Sequence, residues 1–180
     1  MSRGLASPET YYYRRLYVDA VRAVETAASL PGVDPERIGV AGASQGGALA
    51  LVAAALLPQH VSLCHADVPF MCDIEHALDT AFEPPYTELV AFLAVHPELE
   101  ETARLTLRYV DNALLASRIR APTLVSVGLR DTIVPPSTVF AAYNAIDAPK
   151  DIVVLPYSYH FPLPASLLER QLQDFKKAFA

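Results

Sequence analysis

The sequence lacks most of what would commit a chain to nucleic acid, membrane or metal. No run of Lys and Arg with interleaved aromatic residues occurs, and the net charge is −6 with 19% charged residues. Nucleic acid is therefore not an expected partner. No apolar run is long enough to span a bilayer. The longest, Ala48 to Leu57, has about half the required length. Met1 to Pro8 contains no apolar h-region, so no secretory leader is expected. Cysteine is scarce: Cys64 and Cys72 are the 2 present. They form no C-x-x-C, and no histidine cluster at ligand spacing accompanies them. The expectation is free thiols in a cytoplasmic protein with no metal and no cofactor. Internal repeats and low-complexity segments are also missing. The 15 prolines fall between periodic segments, where they punctuate loops.

What is present is enough chain for a single domain over 1–180 with a real core. Tyr11 to Leu30 reads as a long helix, with Tyr12, Leu16, Ala20, Ala23, Val24 and Ala27 recurring at helical spacing and Pro31-Gly32 ending it. Short apolar runs at Ile38 to Ala41, Val61 to Ala66, Thr123 to Gly128 and Ile152 to Leu155 read as strands. Helical patterns follow them: Ala/Leu-rich up to Leu57, Ser137 to Ile146 with Ser137 as a cap, and an amphipathic Leu163 to Phe179. Between the second and third strands, residues 73–117 are helical in pieces broken by Pro84-Pro85 and Pro97, which suggests a helical insertion or lid. Apolar strands alternating with helices predict an α/β fold with a mostly parallel sheet of about four strands, covered on both faces.

The strongest local signal is Gly42-Ala43-Ser44-Gln45-Gly46, a G-x-S-x-G between a strand and a helix. That context is what a nucleophile elbow needs. Strand and helix cross closely there, and Gly42 and Gly46 have no Cβ to clash. Ser44 would stand exposed above the sheet as a nucleophile. The Gln45 N–H would open the helix, where it can stabilise an oxyanion.

Ligands of parallel sheets bind at the carboxyl ends of the strands. Those ends carry Ser44, Asp67, Asp131 and His160 in turn. A serine hydroxyl needs a base to take its proton, and a neutral imidazole does so near pH 7. A carboxylate then holds the imidazole in the right tautomer. Ser, Asp, His is the chain order of an α/β-hydrolase triad. Read singly, Asp131 is a turn residue and His160 a surface histidine. Asp67 competes with Asp131 for the acid, but the Asp131 loop leads into the next crossover in the expected order. His60, His65, His76 and His96 all precede the acid and are set aside as bases.

With these residues placed, the chain resembles the acetyl xylan esterase / cephalosporin C deacetylase family of α/β-hydrolases, carbohydrate esterase family 7. The resemblance rests on Thr10-Tyr11-Tyr12-Tyr13-Arg14-Arg15, Asp19-Ala20-Val21-Arg22-Ala23, Arg37-Ile38-Gly39-Val40, Gly42-Ala43-Ser44-Gln45-Gly46-Gly47, Ala66-Asp67-Val68-Pro69, Gly128-Leu129-Arg130-Asp131 and Pro135-Pro136-Ser137-Thr138. It covers nearly the whole chain. It implies a serine esterase that removes acetyl groups from short xylo-oligosaccharides and cephalosporin C, acts inside the cell and assembles as a homo-oligomeric ring. The family's serine falls on Ser44, its acid on Asp131 and its base on His160. Tyr159 and Phe161 depart from the glycine and glutamate that usually flank the base.

Only one helix and one strand precede Ser44, so the chain reads as the C-terminal portion of such an esterase, an N-terminally truncated α/β-hydrolase. The strand Ile38 to Ala41 is then expected at a sheet edge. It is apolar and without charge, proline or bulge, and such an edge invites self-association or pairing with a missing N-terminal segment. The alternatives are a prolyl-oligopeptidase-like serine peptidase, or an impaired hydrolase piece that only binds a partner.

Overall fold

A computed structural model describes residues 1–180. Helix α1 (Tyr12–Ser29) leads to strand β1 (Ile38–Ala43), helix α2 (Gln45–Leu56) and strand β2 (Val61–Asp67). Four helices follow: α3 (Ile74–Thr80), α4 (Tyr86–Val95), α5 (Glu100–Arg108) and α6 (Asn112–Leu115). The chain closes with β3 (Thr123–Gly128), α7 (Pro136–Ala145), β4 (Lys150–Leu155) and α8 (Ala165–Phe179). The sheet runs β1-β2-β3-β4 and every pairing is parallel. The expected α/β architecture is the one observed.

The core lies where α2 crosses the sheet. Ala48, Leu51, Val52, Ala54 and Ala55 of α2 are all but inaccessible to water. A helix apolar on every side is stable only when enclosed, and here α1 and the sheet enclose it. Residues 73–117 are helical in pieces as expected. Ile74, Ala77, Tyr86, Leu89, Ala103 and Leu107 of this stretch join the same apolar cluster as α2.

Four details differ from the sequence reading. The buried stripe of α1 is Tyr13, Tyr17 and Val24, and Tyr12 is exposed. The reason is polar: the Tyr17 hydroxyl donates to Val110 O at 2.8 Å and receives the Asn112 side-chain amide at 3.1 Å, a pattern that apolar spacing does not encode. Ser137 does not cap α7, because Pro135 occupies the cap position. The Ser137 hydroxyl lies 2.9 Å from His76 Nε2 instead. The edge strand β1 is not regular, since its register against β2 shifts between Ile38 and Gly39. Ser62 is the extra residue on β2, and its hydroxyl donates to Ile38 O at 3.2 Å. At the elbow, a Cβ on Gly46 would meet nothing. The close approach falls on Gly42, whose Cβ would sit 2.3 Å from Gly46 O, and on Gly47, whose Cβ would sit 2.8 Å from Asp67 O.

Candidate active site

Ser44 lies between β1 and α2, at the cap position of the helix. Its φ is 56°, the left-handed region that non-glycine residues enter at a cost of roughly 1–3 kcal/mol. The surroundings hold it there. Ser44 N–H donates to Asp67 O at 2.8 Å, and Phe70 N–H donates to Ser44 O at 3.0 Å. The serine backbone is thus clamped from both sides by the chain that leaves β2.

That chain, Asp67 to Asp73, is itself strained. Val68, Met71 and Asp73 have φ of 37°, 57° and 44°. Side chains from the helical stretch restrain it. Tyr86 Oη accepts Met71 N–H at 3.0 Å. Asn112 N–H donates to Met71 O at 2.8 Å, and its side chain donates to Phe70 O at 3.3 Å. The Asp111 carboxylate accepts Asp73 N–H at 2.8 Å, Ile74 N–H at 2.7 Å and Ala113 N–H at 2.8 Å. Burial pushes the Asp111 carboxyl up, and those three N–H bonds pull against it. Sequence reasoning missed Tyr86, Asp111 and Asn112. The one available signal was Asp111 at the start of a short helical run, which reads as an ordinary cap.

Asp131 follows β3 and is 5% exposed. One oxygen, Oδ1, accepts Ile133 N–H at 3.0 Å and Val134 N–H at 2.9 Å. The other, Oδ2, lies 2.7 Å from His160 Nδ1. With Nδ1–H directed at this carboxylate, Nε2 carries the lone pair. Nε2 lies 2.8 Å from Ser44 Oγ. The structure therefore brings Ser44, His160 and Asp131, 116 and 29 residues apart along the two contacts, into one hydrogen-bonded chain at the carboxyl end of the sheet. In this arrangement imidazole can take the seryl proton while the carboxylate stabilises the imidazolium.

Gln45 opens α2, so its N–H has no partner one turn back. Its side chain is tethered, donating to Tyr13 Oη at 3.2 Å. Asp67 is not in this chain. Ser126 Oγ donates to its Oδ1 at 2.6 Å and Gln171 Nε2 to its Oδ2 at 2.8 Å. The other histidines also lie elsewhere: His60 on Pro35 O, His76 on Ser137, His96 near Glu98, and His65 against Asp174 and Phe175. Both cysteines are free and buried. Burial pushes the Cys64 thiol up to about 12, so it stays protonated and inert.

A parallel sheet with a strained serine at a strand–helix turn, and Ser, Asp and His past the ends of β1, β3 and β4 in that order, defines an α/β-hydrolase. A family model described as acetyl xylan esterase (AXE1) matches residues 1–178. The chain belongs to that family. It is 34% identical over 163 residues to acetyl esterase Axe7A of Xylanibacter ruminicola, covering 89% of this chain and 36% of that protein. The solved acetyl xylan esterase from Paenibacillus sp. R4 superposes with a TM-score of 0.92 at 37% identity, covering 97% of this chain and 55% of that one. Acetyl xylan esterase 1 from Thermoanaerobacterium sp. JW/SL YS485 superposes at 0.91 with 34% identity, covering 99% and 57%. The chain thus spans little more than half the length of these solved relatives, and about a third of the curated esterase.

Proposed function

We propose that this chain carries the nucleophile, base and acid of a serine esterase that removes acetyl groups from acetylated xylo-oligosaccharides, cephalosporin C or similar small acetyl esters. The observation that carries this reading is the unbroken hydrogen-bonded chain from Ser44 Oγ through His160 to Asp131. Ser44 Oγ attacks the acetyl carbonyl as His160 Nε2 takes its proton. The carbonyl oxygen becomes an oxyanion beside the Gln45 N–H at the start of α2. The tetrahedral intermediate collapses, the C–O bond to the alcohol breaks, and His160 returns the proton to the leaving oxygen. Water, deprotonated by the same imidazole, then releases acetate and restores Ser44. Membership of the acetyl xylan esterase family supports acetyl as the acyl group.

The test is fluorophosphonate labelling together with hydrolysis of p-nitrophenyl acetate and of an aminoacyl-proline chromogenic peptide. Ser44→Ala is expected to abolish labelling and to lower the acetate rate by on the order of 10⁶. The double variant Asp131→Asn with His160→Ala should be hardly worse than His160→Ala alone, because members of such a unit are non-additive. Equal labelling of Ser44→Ala, or preferential cleavage of the peptide, would sink the reading.

A further inference from the structure

We infer that Phe161 is a specificity residue for the alcohol half of the ester, its ring forming the surface on which the leaving sugar rests. This rests on the esterase reading above.

The Phe161 ring stands 4.6 Å from the His160 ring, centroid to centroid, with the planes at 75°. His160 is 8% exposed, whereas Phe161 is 52% exposed. The rings around the elbow are satisfied by one another, since Tyr13 packs on Tyr11, Tyr17 and Phe70, and Phe70 packs on Tyr86, while Tyr159 is exposed but does not pack on His160. Phe161 has one aromatic neighbour, the imidazole itself. An apolar residue is therefore left half exposed next to the base.

The chemistry decides which half of the substrate meets it. The breaking C–O bond needs a proton on the departing oxygen, and His160 Nε2 supplies it. That oxygen must come within about 3 Å of Nε2. The acyl carbonyl oxygen lies instead toward the Gln45 N–H, at the start of α2. The alcohol thus stands beside the imidazole, the ring against which Phe161 packs. An aromatic face is electron-rich at its centre. The C–H face of a pyranose is apolar and polarised the opposite way, so a sugar ring suits this surface better than a chain alcohol.

The experiment measures kcat/KM for two acetyl esters that share one acyl-enzyme and differ only in the alcohol, xylose tetraacetate and methyl acetate. The readout is their ratio in the wild-type protein and in Phe161→Ala, Phe161→Leu and Phe161→Trp. The ratio is expected to fall by about tenfold in Phe161→Ala, to fall by less in Phe161→Leu, and to stay near the wild-type value in Phe161→Trp. Because both esters report on the same folded molecules, a loss of folded protein cancels in the ratio. A ratio unchanged within twofold in both Phe161→Ala and Phe161→Leu would overturn the inference and leave Phe161 as a support for His160. Wild-type protein that hydrolyses neither ester would overturn the esterase reading itself, a result distinct from a flat ratio.

Discussion

The chain from Asp67 to Cys72, which clamps Ser44, is buried at every residue. From Pro156 to Pro162, the chain that carries His160, only the histidine itself is buried, and Tyr157, Tyr159 and Phe161 are turned to solvent. The first segment is bonded to Ser44, Ser126, Tyr86 and Asn112, and Asp111 holds the next residue, Asp73. The second is tied down by Arg130 N–H to Ser158 O at 3.0 Å, Ser158 N–H to Leu155 O at 3.2 Å and the Asp131 contact to the ring. The proposed nucleophile is thus placed by the core and the proposed base by a surface loop. A strained φ at a reactive serine needs surroundings that over-determine it. An imidazole needs only its ring oriented, and one buried carboxylate does that.

Two glycines put this contrast at risk, and the largest effects are expected there. A Cβ on Gly42 would meet the Gly46 backbone at 2.3 Å, inside the clamped elbow. Gly42→Ala is expected to cost on the order of 4 kcal/mol or more, seen as loss of the cooperative thermal transition. A Cβ on Gly128 would meet Ser158 O and Tyr159 O at 2.6 Å, on the histidine loop. That loop can yield, so Gly128→Ala is expected to keep its fold by circular dichroism and to lose about a hundredfold in esterase rate through a displaced His160. If Gly128→Ala unfolds as readily as Gly42→Ala, the two regions do not differ in the way described.

Asp111 gives the next effect. Asp111→Ala strands three N–H donors around the strap formed by Asp67 to Asp73, at a cost of about 3 kcal/mol in urea denaturation. Asp111→Asn is expected to recover part of this. A stability change below about 1 kcal/mol for the alanine variant would show that the strap does not depend on Asp111.

The smallest expected effect lies where α8 packs on β2. His65 on β2 is enclosed, its Nδ1 has no partner, and Nε2 stands 3.6 Å from Asp174. Burial lowers its imidazole below the ordinary 6.5, against Asp174 and Asp67, which raise it, and with Arg170, which lowers it further. A base with a depressed folded pKa binds fewer protons folded than unfolded between the two values. Its share of stability is therefore present above about 6.5 and lost as pH falls toward the folded value. Thermal melts at pH 7.5 and 5.5 are expected to separate by about 2 °C less in His65→Gln than in the wild type. An identical separation in the two proteins would remove His65 from the acid response.

Local signals carried much of this molecule. The four strands were legible because each is a short apolar run between turn residues, and Ser44, Asp131 and His160 because strand ends are where a parallel sheet presents its side chains. The carboxylate that faces His160 was legible only as a preference. Asp67 and Asp131 both end strands, and nothing in their neighbours announces that Ser126 and Gln171 occupy one while His160 occupies the other. The glycine reading was half right, because Gly42 and Gly46 look alike in a motif although only the first faces backbone.

What the sequence by itself determined is periodic or contiguous: the strand–turn–helix around Ser44, the order Ser, Asp, His, and the Ala/Leu-rich helix α2. The elbow and α2 depend on residues within about a dozen positions of one another, where backbone geometry alone relates sequence to space, and the order needs only that each residue falls just past a strand. What only the tertiary structure decided is which polar groups meet. Tyr17 finds Val110 and Asn112, Tyr86 finds Met71, Asp111 finds Asp73, and Gln171 finds Asp67 across 104 residues. A buried polar group must find a partner wherever the fold brings one, and that place is a property of the packed chain, with no period in the sequence to reveal it.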